Sequence, residues 1–314
     1  MEHLPDSPDK KTMYFIGVTT GESSINDVFP RWAEVMDLDA QLMGIDHEIH
    51  DDPEAYRETV KFLRREEKAR GALVTTHKID LFNAAKDLFD LFDYHAALQH
   101  EVSCISKENG KLVGHAKDPI TSGRALEDFI PDDFWRRHRG EVMIIGAGGS
   151  ARAISTYLFD PKRDKEDMPS RLIINDKRKP RLEKFQRIFR EINPDMEVEY
   201  NLTPELEDND KVLKDIKPHS LIVNATGLGK DKPGSPLTDD CQFPEDSLIW
   251  ELNYRGGLKF LDQAYEQQDE KNLTVEDGWR YFIHGWSEHI GEVFDLELND
   301  ELVDELSSAA AEVR

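Results

Sequence analysis

At 314 residues, with 40 basic against 64 acidic side chains and a net charge of −24, the chain is long enough for two cored domains. Over most of its surface that charge repels nucleic-acid phosphates and anionic membranes, so neither is an expected partner. Cys104 and Cys241 are its cysteines; without a CxxC or a Cys/His cluster at metal-ligand spacing, neither a disulfide framework nor a metal site is suggested, and a cytoplasmic setting fits.

The opening MEHLPDSPDKKT is polar and no run nears the ~18–20 apolar residues of a membrane span, so a soluble, unprocessed protein is expected. Residues 14–18 read as a short apolar strand, and after a Thr/Gly/Ser loop Phe29, Trp32, Val35 and Met36 recur at helical spacing. A weaker strand at 41–45 follows, then a helix over 53–65 with Tyr56, Val60 and Leu63 on one face, a strand at 71–74 and a helix over 79–89. Between the last two lies Thr75-Thr76-His77-Lys78. Strands at 102–106 and 111–114 flank Asn109-Gly110, a favoured hairpin pair. Asp118 falls in the loop after this hairpin; a helix over 122–129 then stops near Pro131, and the polar DDFWRRHRGE stretch marks a domain junction.

Beyond the junction, Val142-Met143-Ile144-Ile145 runs into the turn Gly146-Ala147-Gly148-Gly149-Ser150-Ala151, which opens a helical pattern. In a dinucleotide-binding turn, a glycine such as Gly146 permits the tight bend, Gly148 lets backbone amides approach a pyrophosphate, and small Ala151 allows close helix–strand packing. Strands at 172–175, 198–200, 221–223 and 247–252 interleave with helices, the pattern of a parallel doubly wound sheet, and 160–170 is a charged insertion. Asp176, at the end of the second strand, stands where an acidic residue binds an adenosine ribose and favours NAD; the adjacent Lys177 and Arg178 suit the extra phosphate of NADP. Both cofactors stay open, with a lean to NAD. Asn224-Ala225-Thr226-Gly227 also ends a strand, at the carboxyl edge where such sheets bind ligands. The last helix, over 299–313, carries Leu302, Val303, Leu306 and Ala310 on one side and needs a docking surface. Apolar helix faces of this kind fit an intrachain core or a homodimer contact.

In this order, the segments resemble the shikimate/quinate dehydrogenase family. GALVTTHK is similar to the family's lysine motif, GHAKDPITSG to its NTDxxG motif, GAGGSARA to its glycine loop, NATGLG with Ser235-Pro236-Leu237 to its NATxxGMx…SPL pattern, and LNYR with Phe260-Leu261 to its DxxYxPxxTxLL segment. The resemblance implies an α/β substrate-binding domain (1–123), a Rossmann-type nucleotide-binding domain (124–284), and C-terminal helices (285–314) returning to the first domain. It implies an NAD(P)-dependent oxidoreductase acting on shikimate, quinate or a related ring hydroxy acid, with Lys78 and Asp118 as the catalytic pair. Ser23, Ser24, Thr75 and Thr76 are then expected at the substrate, with Tyr254 and His284 contributed by the second domain. The cofactor residues implied are Gly146, Ala147, Gly148, Gly149, Ser150, Ala151, Asn175, Asp176, Lys177, Arg178, Asn224, Ala225, Thr226, Gly227, Leu252 and Gly278.

The chain departs from the family where substrate amides belong. Ala116 stands two residues before Asp118 in place of asparagine, Leu73 or Val74 replaces the asparagine of the lysine motif, and His284 replaces the helix glutamine. The family's SxSP motif is altered to Gly21-Glu22-Ser23-Ser24-Ile25-Asn26. These changes keep two other readings open: a nucleotide-dependent sensor without turnover, and a related dehydrogenase acting on a folate or an amino acid.

Overall fold

The computed structural model describes residues 4–229 and 232–313. Backbone contacts divide the chain into two compact units, Met1–Lys117 with Ile283–Arg314 and Asp118–Phe282. The expected divisions at 123/124 and 284/285 thus fall instead at 117/118 and 282/283. Among the described residues no helix is long and apolar enough to cross a membrane.

The first unit begins with β1 (Lys11–Gly17), α1 (Ile25–Val35), β2 (Ala40–Asp46), α2 (Pro53–Arg65), β3 (Ala69–Val74) and α3 (Lys78–Ala85). Then come β4 (Leu91–Phe92), α4 (Tyr94–Gln99), β5 (Cys104–Glu108) and β6 (Lys111–His115). These strands form one mixed sheet in the order β2-β1-β3-β5-β6-β4. Helix α2 matches its expected bounds because its ends are marked: the Asp52 carboxylate accepts the Glu54 N–H at 2.8 Å, Pro53 opens the helix, and Arg64 and Arg65 occupy its last turn. The helix expected over 79–89 is shorter. After Ala85 the chain tightens into a single 3₁₀ turn, and Arg57 captures the Ala84 carbonyl at 2.8 Å and the Asp87 carboxylate. The β5–β6 hairpin forms around Asn109 and Gly110, with φ of +49° and +79°. β4 and α4 were not legible: each is too short to show a period.

The second unit contains α5 (Asp118–Glu127), α6 (Phe134–His138), β7 (Val142–Ile145), α7 (Gly149–Leu158), β8 (Leu172–Asp176), α8 (Lys179–Ile192), β9 (Val198–Leu202) and α9 (Leu206–Lys214). It continues through β10 (Leu221–Asn224), β11 (Leu248–Glu251), α10 (Lys259–Lys271) and β12 (Thr274–Glu276). Its six strands lie in the order β12-β11-β10-β7-β8-β9, every neighbouring pair parallel. This is the doubly wound dinucleotide-binding order, with β7 and β10 flanking the point where the strand order reverses. Strand residues alternate between two cores. Val142, Ile144, Leu172, Ile174, Leu221, Val223 and Trp250 face one, while Met143, Ile145, Ile173, Ile222 and Ile249 face the other. A sheet buried on both faces explains why these strands read as unbroken apolar runs.

Two helices complete the chain, α11 (Trp279–Phe294) and α12 (Asp300–Ala311). Helix α12 packs on α1, where the Trp32 indole N–H donates to the Leu306 carbonyl at 2.7 Å and Val303, Leu306 and Ala310 are buried. Asp118 is not in a loop, as the sequence suggested, but is the first residue of α5. Pro119, which lacks an N–H, is tolerated there because first-turn amides have no intrahelical partner.

Candidate functional site

β7 ends at Gly146, where φ is +110° and an added Cβ would stand 2.6 Å from the Ala225 carbonyl oxygen. Only glycine satisfies both constraints, so the turn is fixed by the backbone itself. The Gly146 N–H donates to the Asn175 carbonyl at 2.7 Å and the Ala225 N–H to the Ile145 carbonyl at 2.8 Å, which ties the turn to β8 and β10. Gly148 is the N-cap of α7; an added Cβ there or at Gly149 meets nothing within 4 Å, so the loop is open on that side. Ala151 is fully buried. The amides of α7's first turn carry the positive end of the helix dipole, and this cradle fits a pyrophosphate. Ser150 lies 3.4 Å from the Tyr281 hydroxyl.

Asp176 is buried, and both carboxylate oxygens accept backbone amides: Oδ2 from Ala147 at 2.9 Å and Oδ1 from Arg178 at 2.8 Å. It therefore braces the glycine loop from behind. Around it Lys177, Arg178, Lys179 and Arg181 are exposed, a cationic rim next to an aspartate already engaged. Asn175 is also wholly buried, its side chain bonded to Asn209 at 2.9 Å and Asn201 at 3.2 Å. Asn224 accepts the Thr226 N–H and hydroxyl at 3.1 and 2.7 Å, fixing the turn that leads to Gly227. The side chains of both asparagines thus shape the sheet edge from inside the protein.

Asn224 Nδ2 also donates to Glu251 Oε2 at 2.6 Å, and Glu251 Oε1 accepts both the backbone and side-chain N–H of Asn253, at 2.8 and 2.6 Å. Burial pushes the Glu251 carboxyl up to about 7, with the amide bonds from Asn253 and Asn224 pulling the other way. Sequence reading passed over this residue; its signal was a carboxylate closing the apolar run Leu248-Ile249-Trp250 beside Asn224 on the neighbouring strand. Leu252 and Gly278 meet as closely as backbone allows, since a Cβ on Gly278 would be 2.1 Å from the Leu252 carbonyl oxygen. Tyr254 is half-buried against the rings of Phe282 and Trp279, at centroid distances of 4.9 and 5.6 Å.

In the first unit, β1 and β3 are adjacent and parallel, so the loops after them leave the same sheet edge. An added Cβ on Gly17 would lie 3.1 Å from Thr75 Oγ1, a measure of how near the two loops run. Ser23 and Ser24, on the first loop, are half-buried, and Ser24 occupies the N-cap position of α1 without a side-chain capping bond. On the second loop, the Thr75 N–H donates to the Ile16 carbonyl at 3.0 Å and Thr76 is exposed. Lys78 opens α3 and is half-buried, its carbonyl accepting the Val102 N–H at 3.1 Å. His284 is buried and belongs to the first unit through the Ile283–Arg314 segment, a correction to its expected place in the second domain. Asp118, also buried, is the first residue of the second unit.

Lys117, absent from the sequence expectations, has its amide bonded to Ser103 Oγ at 2.8 Å and its ammonium paired with Glu292. Burial is the largest influence and works against that charge, but the bond to Glu292 and the negative charges of Glu292, Cys104 and Glu288 together outweigh it, and the Lys117 ammonium is held above its ordinary range. Glu292 also lies 3.4 Å from His115, and ligand atoms of Glu108, His115 and Glu292 fall within 4.8 Å of one another. Ser106 bonds His115 at 2.8 Å and Lys117 bonds Glu292, so the group is already engaged within the protein.

No protein-family model matches the chain. Curated relatives do: the NADP(+) shikimate dehydrogenase of Streptococcus thermophilus is 29% identical over 178 residues, covering 56% of this chain and 57% of the relative. That of a Geobacillus species is 26% identical over 241 residues, covering 76% and 77%. The chain thus spans 57%, 60% and 64% of the length of the Streptococcus thermophilus, Lactococcus lactis and Streptococcus sanguinis relatives. Among solved structures, a quinate dehydrogenase of Corynebacterium glutamicum in complex with NAD superposes with a TM-score of 0.74 at 16% identity, over 96% of this chain and 99% of the other. A shikimate 5-dehydrogenase of Thermus thermophilus with NADP(H) and shikimate gives 0.71 at 21%, over 96% and 99%.

Proposed function

We propose that this chain, which belongs to the shikimate/quinate dehydrogenase family, is an NAD(P)-dependent oxidoreductase that reversibly oxidises a ring hydroxyl of shikimate, quinate or a related hydroxy acid. The observation that carries the reading is the pair of strand-to-helix turns: an open glycine cradle at Gly146–Gly149 in one unit and the lysine-bearing turn at Thr75–Lys78 in the other. A bound nicotinamide supplies the hydride acceptor, and the protein's own groups bind, orient and handle the proton that leaves the hydroxyl. Lys78 is assigned that proton, either as a neutral amine that takes it or as an ammonium that stabilises the developing alkoxide. Asp118 is its proposed catalytic partner. Ser23, Ser24, Thr75 and Thr76 are assigned to the ring acid's carboxylate and hydroxyls, and Tyr254 and His284 to the same substrate. His284, an imidazole where relatives use an amide, donates to a carboxylate more readily than to a hydroxyl when protonated.

The proposed cofactor is NADP rather than NAD. Both oxygens of Asp176 are occupied by backbone amides, and the exposed Lys177, Arg178, Lys179 and Arg181 surround it with charge suited to a ribose phosphate. The test is nicotinamide reduction at 340 nm with NADP and with NAD across shikimate, quinate and aminated analogues. Turnover with at least one acid supports the enzyme; tight nucleotide binding with no turnover across the panel favours a sensor of the same fold.

A further inference from the structure

His77, the residue before Lys78, is fully buried in the core of the first unit. It lies among polar rings: Tyr56 from α2 and His47 just after β2, with centroids 5.5 and 5.8 Å from His77 and 4.7 Å from each other. Tyr56 is 1% and His47 3% exposed, so an apolar core here accommodates a phenol and two imidazoles. Burying such groups costs free energy unless their hydrogen bonds are satisfied.

The bonding sets each proton. Asp51 Oδ2 accepts from His47 Nδ1 at 2.8 Å, which leaves His47 Nε2 to accept from the Thr59 hydroxyl at 2.9 Å. The Asp51 N–H donates to the Tyr56 oxygen at 3.3 Å. Tyr56 has one proton to give, and His77 Nδ1 at 2.9 Å is a far better acceptor than the Glu48 carbonyl at 3.5 Å. Burial raises the Tyr56 hydroxyl above its ordinary value, with Asp51 and Asp80 adding to the effect and the Asp51 amide opposing it, so it stays a donor. His77 is therefore the tautomer with its proton on Nε2, and that nitrogen has no hydrogen-bond partner among the described residues. An unpaired buried donor costs free energy that an apolar side chain in its place would not.

Resting on the dehydrogenase reading, we infer that His77 is a positioning residue for Lys78, held by Tyr56 through the chain Asp51–Tyr56–His77. The backbone around the lysine is anchored at Thr75 on Ile16, at the His77 carbonyl by the Leu81 N–H at 2.8 Å, and at the Lys78 carbonyl by Val102. His77 adds the side-chain anchor, and it is the one that sets the direction in which the next residue leaves the turn. Its polar attachment to α2 is directional where apolar packing is not.

The experiment compares Tyr56→Phe, His77→Ala, His77→Asn and Thr59→Ala in the full chain. Tyr56→Phe and His77→Ala are expected to lower kcat about ten- to hundredfold, the scale of a small misplacement of a reacting group, and to move the pH–rate profile while leaving KM values nearly unchanged. His77→Asn, whose Oδ1 can accept from Tyr56, should recover most of the loss. Thr59→Ala removes a bond from the same network and should lower Tm while leaving kcat and the profile alone. Equal losses of Tm in Tyr56→Phe and Thr59→Ala, with wild-type kcat and pH profile in both, overturn the inference. A second readout needs no turnover: the pH dependence of Lys78 acylation by an amine-selective reagent, followed by peptide mass spectrometry. A changed profile in Tyr56→Phe but not in Thr59→Ala upholds the positioning role even if no ring acid is oxidised, and an unchanged one refutes it.

Discussion

The turn after β7 and the turn after β3 do the same topological job, carrying the chain from a buried strand into a helix, and they are built by opposite means. At Gly146 the geometry is enforced by missing atoms: a left-handed φ and a Cβ position 2.6 Å from a carbonyl oxygen leave room for glycine alone. The turn before Lys78 instead carries side-chain contacts: His77 packs against the rings of Tyr56 and His47, and its Nδ1 meets the Tyr56 hydroxyl at 2.9 Å. A backbone cradle recognises what all dinucleotides share, a pyrophosphate. A side-chain scaffold suits the role proposed for the second turn, holding one reactive group in one direction.

This contrast explains what was legible. The glycine loop, the parallel sheet of the second unit and the apolar face of the last helix follow from local patterns: glycine spacing, unbroken apolar strands, and apolar residues at helical spacing. The support under Lys78 does not. His47 and Tyr56 are brought beside His77 by the pairing of β1 with β2 and β3 and by the packing of α2 on α3, and nothing in their own segments marks them as neighbours. Glu251 was hidden for the same reason, since its meaning depends on Asn224 across the sheet. Asp176 was legible in place but not in direction: its position at the end of β8 was evident, whereas its use as a brace for Ala147 required coordinates.

The strongest test of the contrast is Lys78→Met. If the side-chain turn holds the reactive group and the glycine turn holds the nucleotide, kcat should fall by about 10²–10⁴ while the dissociation constant for the nucleotide, measured by fluorescence titration, stays within error. A parallel loss of nucleotide affinity would mean that the two turns do not divide the work.

Next in size is a pH effect confined to the backbone-cradle unit. The Glu251 carboxyl is raised from an ordinary 4.5 to about 7, so the folded state holds its proton more tightly than the unfolded chain. The associated stability is fully present below pH ~4.5 and is lost as pH rises through ~7, by up to about 3 kcal/mol. Chemical denaturation of wild type and Glu251→Gln at pH 4.5 and 8 isolates it, because the remaining acidic groups contribute to both proteins. The variant should lack this part of the slope. Matching slopes would show that Glu251 titrates normally and that Asn224 does not depend on it.

The smallest effect separates the two jobs within the glycine-loop unit. If Asp176 is a brace and the cations around it read the ribose, replacing Lys177 and Arg178 together with alanine should weaken NADP binding about ten- to hundredfold, the worth of one or two charge-assisted bonds, and leave NAD binding nearly unchanged. Asp176→Asn should behave differently. Its side chain keeps one oxygen for an amide and places an NH₂ against the other, so the Ala147 or Arg178 N–H loses its acceptor and affinity for both cofactors should drop together. The outcome that reverses this assignment is selective loss of NAD in Asp176→Asn, since a carboxylate that reads the 2′-hydroxyl directly would be missed only by the cofactor that has one.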